Sequence, residues 1–312
     1  MSAKRWLARH LLVVLACLAY VLFAHPALFA LPLAALLVAT SLRTPQEWIT
    51  ATLAGGLSLT WLLDTGDLPD QLVRAGAVVA TGVFVTTTRL TRAPVIHRAL
   101  FAVFIAAFAT GVLLLVLGSS WGEARWWVEY RVGYMTRMAS QLFWLLGDGS
   151  SANPNRVEQA VNSIVRLQAD YFPALDALRI LAGLALAAAV YQRVALEPYG
   201  AGLARFSSFR FNEHLGWAAI AALLVVLIPS LAAAELGATN LLIVLGALYA
   251  LRGVAVAAFG LQLVGASGCL FIAFAAVAAI FILPLVLAGA ILLGVVDSGM
   301  DLRRRWTTPP TD

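Results

Sequence analysis

Apolar positions in this chain run on for the length of a bilayer crossing, and arginines gather in the short polar turns between the runs. The stretches from Leu11 to Leu42 and from Leu270 to Val296 lack the period-two alternation of membrane barrel strands. Such continuity predicts helices, because lipid offers no partner to a backbone N–H or C=O and each helix satisfies its own.

The first run would be roughly 48 Å long as one helix, at about 1.5 Å per residue, against a hydrocarbon core of about 30 Å. His25-Pro26 lies near its middle, and proline disfavours helix in the residue before it, so the run divides into a hairpin of two short helices turning at His25. Arg43, Thr44 and Pro45 end the second helix. A third extends from about Gln46 to Leu63, followed by an acidic turn of Asp64, Asp67 and Asp70 opposed by Arg74. A fourth reaches about Thr88, then a basic turn holds Arg89, Arg92, His97 and Arg98, and a fifth reaches about Leu117. Positive charge is retained on the cytoplasmic side, which puts the N-terminus and the Arg89–Arg98 turn inside.

The stretch from Ser119 to Phe172 has a different rhythm. Trp127, Tyr130, Tyr134, Met138, Leu142 and Leu145 recur at three- and four-residue steps, the mark of an amphipathic helix. Gly147 to Ser151 reads as a loop and Asn153-Pro154 as N-cap and first helical residue. A second amphipathic helix follows, with Val157, Val161, Ile164, Val165 and Phe172 on one face. The count of crossings puts this pair outside.

Pro173 opens a sixth crossing that reaches Arg193, and a basic turn with Arg205 and Arg210 follows. A seventh runs from about Glu213 to Leu231, and an eighth begins near Thr239-Asn240. The last run is interrupted by Pro284 and leads to Asp301-Leu302-Arg303-Arg304-Arg305. If that basic end is cytoplasmic, parity requires a second hairpin around Pro284 and about ten crossings; one long kinked helix gives about nine. The expected fold is an all-α polytopic transmembrane bundle of about 8–10 crossings with an external amphipathic insert. Its parts are N-terminal helices over 1–118, the insert over 119–172 and C-terminal helices over 173–312, together one membrane domain.

Composition agrees. Hydrophobic residues make up 62% of the 312 and charged residues 12%, about half the share of a soluble domain, and the mean hydropathy is +0.89. The net charge of +5 does not point to nucleic acid, because the basic residues stand at helix ends, where topology and snorkelling account for them. Cys17 and Cys269 both lie in apolar runs and read as small buried residues.

Candidate chemistry is sparse. Gly265-Ala266-Ser267-Gly268 matches the serine motif of rhomboid proteases, but His10, His25, His97 and His214 all precede Ser267, so no downstream base follows and the segment reads as a turn. No histidines share metal-ligand spacing, and no metal or other cofactor is expected. Asp297 and Asp301 read as surface bridges, Asp301 with Arg305. Arg252 lies inside a span, where charge is costly; it either snorkels to the cytoplasmic end or serves a ligand. Asn240, at the expected head of the same helix, reads as a cap or a ligand contact.

Three stretches, in order, carry a resemblance: Tyr171-Phe-Pro-Ala-Leu-Asp-Ala-Leu with the helix end Tyr191-Gln-Arg-Val-Ala-Leu; Phe206-Ser-Ser-Phe-Arg-Phe-Asn-Glu-His-Leu-Gly-Trp; and Leu293-Gly-Val-Val-Asp-Ser-Gly-Met-Asp-Leu-Arg-Arg-Arg. The helix from Asn240 to Phe259 fits as well. Together they resemble the YybS-like membrane proteins of bacteria, with Gly299 standing where an aromatic is expected. The resemblance implies a membrane protein and transfers no catalytic residue. Its general layout is similar to the substrate-binding subunits of energy-coupling-factor vitamin transporters.

These readings lead to a multi-pass protein of a bacterial plasma membrane, both termini cytoplasmic, without enzymatic activity. The first functional expectation is a small-molecule-binding or permease-like transport component that relies on an energising partner module and binds around Asn240, Tyr249 and Arg252. The alternative is a non-transporting scaffold for envelope or signalling proteins, whose inner residues Arg89, Arg92, Arg98, Arg210, Arg303, Arg304 and Arg305 contact partners or anionic lipid.

Overall fold

The computed structural model describes residues 3–116, 118, 120–146, 154–263 and 268–307, with the backbone alone along 3–10, 139–146, 154–158 and 268–282 and at 12, 135 and 307. The expected loop Gly147–Ser151, the cap Asn153 and the turn segment Gly265–Ser267 lie outside the described residues. Every regular element among the described residues is a helix, and the chain divides into two compact units, Met1–Gly202 and Leu203–Asp312.

The first unit holds α1 (Ala3–Phe23), α2 (Ala27–Ala39), α3 (Pro45–Leu63), α4 (Leu68–Leu90), α5 (Val95–Val116), α6 (Trp121–Leu146), α7 (Pro154–Asp170) and α8 (Phe172–Val194). The chain breaks at His25-Pro26 as the proline predicts, and His25 Nδ1 accepts the N–H of Ala27 at 3.2 Å. The short α2 is the centre of the unit. Leu28, Ala30, Leu33, Leu36 and Leu37 bury almost every face of it against α3, α4 and α8. Thr44 and Glu47 form a capping box at the start of α3, where Pro45 occupies the first helical position. α8, expected among the C-terminal helices, packs on α2 and α5 within this first unit.

Packing here inverts the soluble rule. On α5 the alanines Ala99, Ala102 and Ala106 are buried, while Phe101, Phe104 and Phe108 point outward, Phe104 being 68% exposed. Small residues let helices approach closely, and lipid accepts the large apolar side chains. The two helices of the insert, α6 and α7, pack on each other, α6 also meeting α4 and α7 meeting α8.

The second unit holds α9 (Leu215–Leu227), α10 (Ala232–Leu263), α11 (Gly268–Met300) and α12 (Leu302–Thr307), with 3-10 turns at Phe206–Ser208 and Pro229–Leu231. Two expectations fail. The helix expected from Thr239-Asn240 starts at Ala232, and Asn240 is no cap: its side-chain amide donates to the Leu236 carbonyl at 2.9 Å from inside the helix. The second is the hairpin around Pro284, because α11 continues through that residue. Losing one backbone bond at proline is tolerated in a membrane helix, whereas an open turn would leave several groups unsatisfied in lipid. The tenth crossing and its parity argument go with that hairpin.

α10 and α11 touch backbone to backbone. A Cβ on Gly253 would fall 1.8 Å from the Ala290 carbonyl oxygen, and one on Gly294 would fall 2.0 Å from that of Tyr249. Glycine is what permits this crossing. By length and composition five described helices can cross a membrane: α4, α5, α8, the Pro229–Leu263 stretch containing α10, and Leu283–Met300 of α11. Val13–Phe23, α2 and α9 are apolar but shorter.

Candidate functional site

Each unit brings charged side chains into its interior. In the second unit the α10–α11 crossing carries Arg252 to Asp297. Arg252 Nε donates to Asp297 Oδ2 at 2.8 Å, its Nη1 to Ser298 Oγ at 3.2 Å and its Nη2 to the Asp297 carbonyl at 3.1 Å. Arg303 reaches the same carboxylate oxygen at 2.8 Å and donates to the carbonyls of Ser207 and Phe209. The side chains of Arg252, Asp297 and Arg303 are 1, 0 and 5% exposed. The Phe211 ring lies under the Arg252 guanidinium at 5.6 Å and meets Tyr249 edge-on, and Glu213 stands 4.0 Å away at the rim.

Several expected roles change here. Asp297 is no surface bridge: its Oδ2 is the shared acceptor of two buried guanidiniums, while its Oδ1 has no hydrogen-bond partner among the described residues. Arg252 does not snorkel, because the carboxylate brought by α11 compensates its burial. Arg303 is equally committed. Asp301, in a left-handed turn at φ +45, lets α12 fold back, and its carboxylate pairs with Arg210 rather than Arg305. The structure brings Tyr249 and Arg252 to one cluster, with Asn240 three turns earlier on the same helix. None of the three lines either cavity described below.

The basic inner set also separates. Arg98 is buried and donates to the Ala201 carbonyl at 2.9 Å, so with Arg303 it leaves the set that could meet a partner or lipid headgroup. The Arg89 guanidinium lies over the Tyr199 ring at 5.7 Å. Arg92, Arg210, Arg304 and Arg305 are exposed.

The first unit has open space beside its charges. A cavity of about 460 Å³ lies among the end of α1 and the starts of α2, α4 and α8, with Val128 and Arg131 of α6 and Gln168 of α7 on one side. His25 stacks on Trp61 with centroids 5.3 Å apart, and burial, then Arg74, push its pKa below the ordinary histidine value. Arg131 makes a two-pronged pair with Asp70 and a longer one with Asp67, so the acidic turn finds its counter-charge on the insert. Arg125 of α6 bridges Asp170 at the end of α7 at 2.9 Å.

A second cavity of about 230 Å³ lies among α4, α5, the start of α6 and the start of α8. Its walls are apolar, with Leu72, Val103, Ala106, Leu114 and Ile180 among them, and its one ionisable lining residue is Asp176. Asp176 lines both cavities. Its Oδ1 is shut off from solvent with no hydrogen-bond partner among the described residues, and the same holds for Trp121 Nε1 on the wall of the smaller cavity. Sequence reasoning passed over Asp176. The available signal was a lone acid inside the apolar run that Pro173 opens, since charge within a span is costly and marks function.

At the other end of α8, Glu47 in the first turn of α3, outside the five spans, accepts from the backbone N–H of Leu196, Arg43 and Thr44 at 2.7, 2.7 and 2.8 Å. These donors, the Leu196 N–H foremost, hold its carboxyl well below the ordinary range, at about 2.

Among the described residues no group of three or more His, Cys, Asp or Glu is placed to hold a metal ion. Residues 10–298 match a family described as a predicted membrane protein, DUF2232. No curated protein and no solved structure matches the chain.

Proposed function

We propose that the chain, which belongs to the DUF2232 family of predicted membrane proteins, is a small-molecule-binding, permease-like component without enzymatic activity of its own. We assign its site to the paired cavities of the first unit instead of the Asn240–Arg252 helix. The observation that carries this reading is Asp176: an acid on a membrane-spanning helix, facing two cavities, with one carboxylate oxygen left unpartnered. Natural interiors seldom leave such a group unsatisfied without a reason, and intramembrane acids mark substrate or ion paths. No nucleotide-binding motif accompanies the site, so an energising partner belongs to this proposal, as does the likeness in layout to the substrate-binding subunits of energy-coupling-factor transporters.

The proposed setting is a bacterial plasma membrane with the insert outside and both termini in the cytoplasm. Support for the C-terminus no longer rests on parity. It rests on the bonds of Asp301 and Arg303 to Arg210, Ser207 and Phe209, which tie the chain end to a basic turn, and on the 13-residue α9 being too short to count as a crossing of its own.

Native mass spectrometry of the purified full chain tests the binding reading. A small molecule retained by the wild type and lost in Asp176→Asn is the expected result. A ligand-free chain that copurifies with a stoichiometric protein partner would overturn it in favour of a scaffold, for which the exposed Arg92, Arg304 and Arg305 remain as contacts.

A further inference from the structure

The smaller cavity is specific enough in its chemistry to name a class of occupant, an inference that rests on the binding reading above. Four features bear on it. Asp176 is the one ionisable residue on its walls. Its Oδ1 and the indole N–H of Trp121 are a buried acceptor and a buried donor, each without a partner among the described residues. The remaining walls are aliphatic apart from Thr110, whose hydroxyl already donates to the Ala106 and Ala107 carbonyls, and the rings of Trp121 and Phe172. The volume, about 230 Å³, falls below the roughly 300–1,000 Å³ of drug-sized sites.

A buried carboxyl oxygen without a partner is satisfied by a cationic donor. A hard divalent metal does not suit it, because such ions take about six or more oxygen ligands and this wall offers one carboxylate and one hydroxyl. An organic ammonium suits it better: its charge meets the carboxylate, its alkyl body meets the aliphatic wall, and aromatic faces stabilise it further. The indole N–H asks for an acceptor on the same molecule. Arg179, one turn along α8, is the one nearby charge that acts on Asp176 electrostatically, but it is exposed and lines only the larger cavity, where Asp70 and Arg131 neutralise each other.

We propose that this cavity binds a small amphipathic amino alcohol or amino ether, with its ammonium on Asp176, its oxygen on the Trp121 indole N–H and its alkyl body among Leu72, Val103 and Ile180.

The test is calorimetric titration of the full chain in detergent at neutral pH with three probes: leucinol, which has both groups; 3-methylbutan-1-amine, which lacks the hydroxyl; and 4-methylpentan-1-ol, which lacks the ammonium. Leucinol should bind about tenfold or more tightly than the neutral alcohol, the scale of one charge-assisted hydrogen bond, and about threefold more tightly than the simple amine. Asp176→Asn should remove the preference for the amines, and Trp121→Phe should remove only the preference for the hydroxyl. Both variants are checked for helix content by circular dichroism, and the three-probe comparison on the wild type needs no variant. If the neutral alcohol matches leucinol, or Asp176→Asn keeps the preference for amines, the ammonium assignment is wrong. If leucinol and the simple amine bind equally, the indole contact is wrong. Should none of the probes bind, the class falls, and the mass spectrum of the native chain then decides separately whether the binding reading falls with it.

Discussion

Asp297 and Asp176 are both carboxylates on membrane-spanning helices, and they sit in opposite circumstances. Asp297 is met by two guanidiniums from α10 and α12, with the carbonyls of Ser207 and Phe209 accepting from the Arg303 Nη groups. Each carboxylate has an Oδ1 without a hydrogen-bond partner among the described residues; the difference is that Asp297 is paired through Oδ2, whereas Asp176 lies between two cavities. The first arrangement uses its charge to hold three segments of the second unit together. The second leaves its charge open to something that enters. Buried charge alone therefore says little about function in this protein; whether that charge is already spent on ion partners or faces open space says much more.

The largest expected effect falls on the spent cluster. Asp297→Ala leaves Arg252 and Arg303 buried and unpaired, and should cost about 3–5 kcal/mol in equilibrium unfolding in detergent. A loss below about 1 kcal/mol would mean that the cluster is not the clasp its bonds describe. Next comes the crossing that brings the cluster together. Gly253→Leu drives a side chain into the Ala290 carbonyl and should cost about 1–3 kcal/mol, read as a lower melting temperature.

Glu47 is a second spent carboxylate, and it adds a pH signature. Glu47→Gln should lower the melting temperature at neutral pH, since it offers a poorer acceptor to three backbone donors. Because its folded pKa is depressed to about 2, its contribution is present above the unfolded value of about 4.3 and is lost as pH falls from there toward 2. The wild type should lose stability over that window and Glu47→Gln should lose less, as measured by melting temperature against pH. The smallest effect sharpens the contrast most. Asp176→Asn should change stability by no more than about 0.5 kcal/mol, or raise it, because no internal bond is lost at Oδ1. A loss as large as that of Asp297→Ala would show that Asp176 is a structural residue after all.

Much of the helix plan was legible in the sequence. Thr44-Pro45-Gln46-Glu47 carries its own capping box, and Pro69 and Pro173 stand at the starts of α4 and α8, each at the first or second helical position. The continuity of α11 was not legible, because a proline in an apolar run looks the same whether the chain turns or merely bends, and the penalty that decides comes from the bilayer. Asn240 misled for a local reason: Thr-Asn resembles a helix start, yet its amide bonds back into a helix already begun. The site residues were harder still. Asp297 and Arg252 are 45 positions apart, and Asp70 and Arg131 are 61 apart. Periodicity reports which face of a helix is apolar and is silent about which distant helix that face meets. Asp176 was visible only as a lone acid among alanines and leucines, and only the cavities on either side of it distinguish it from a residue near a helix end.

The alanine-in, phenylalanine-out arrangement of α5 means that a saturation mutagenesis map of this helix would read inside out. Phe101, Phe104 and Phe108 would tolerate most apolar replacements, because lipid conforms to whatever shape they leave. Ala99, Ala102 and Ala106 would accept almost nothing larger. The positions most costly to alter are the ones with the least side chain to lose.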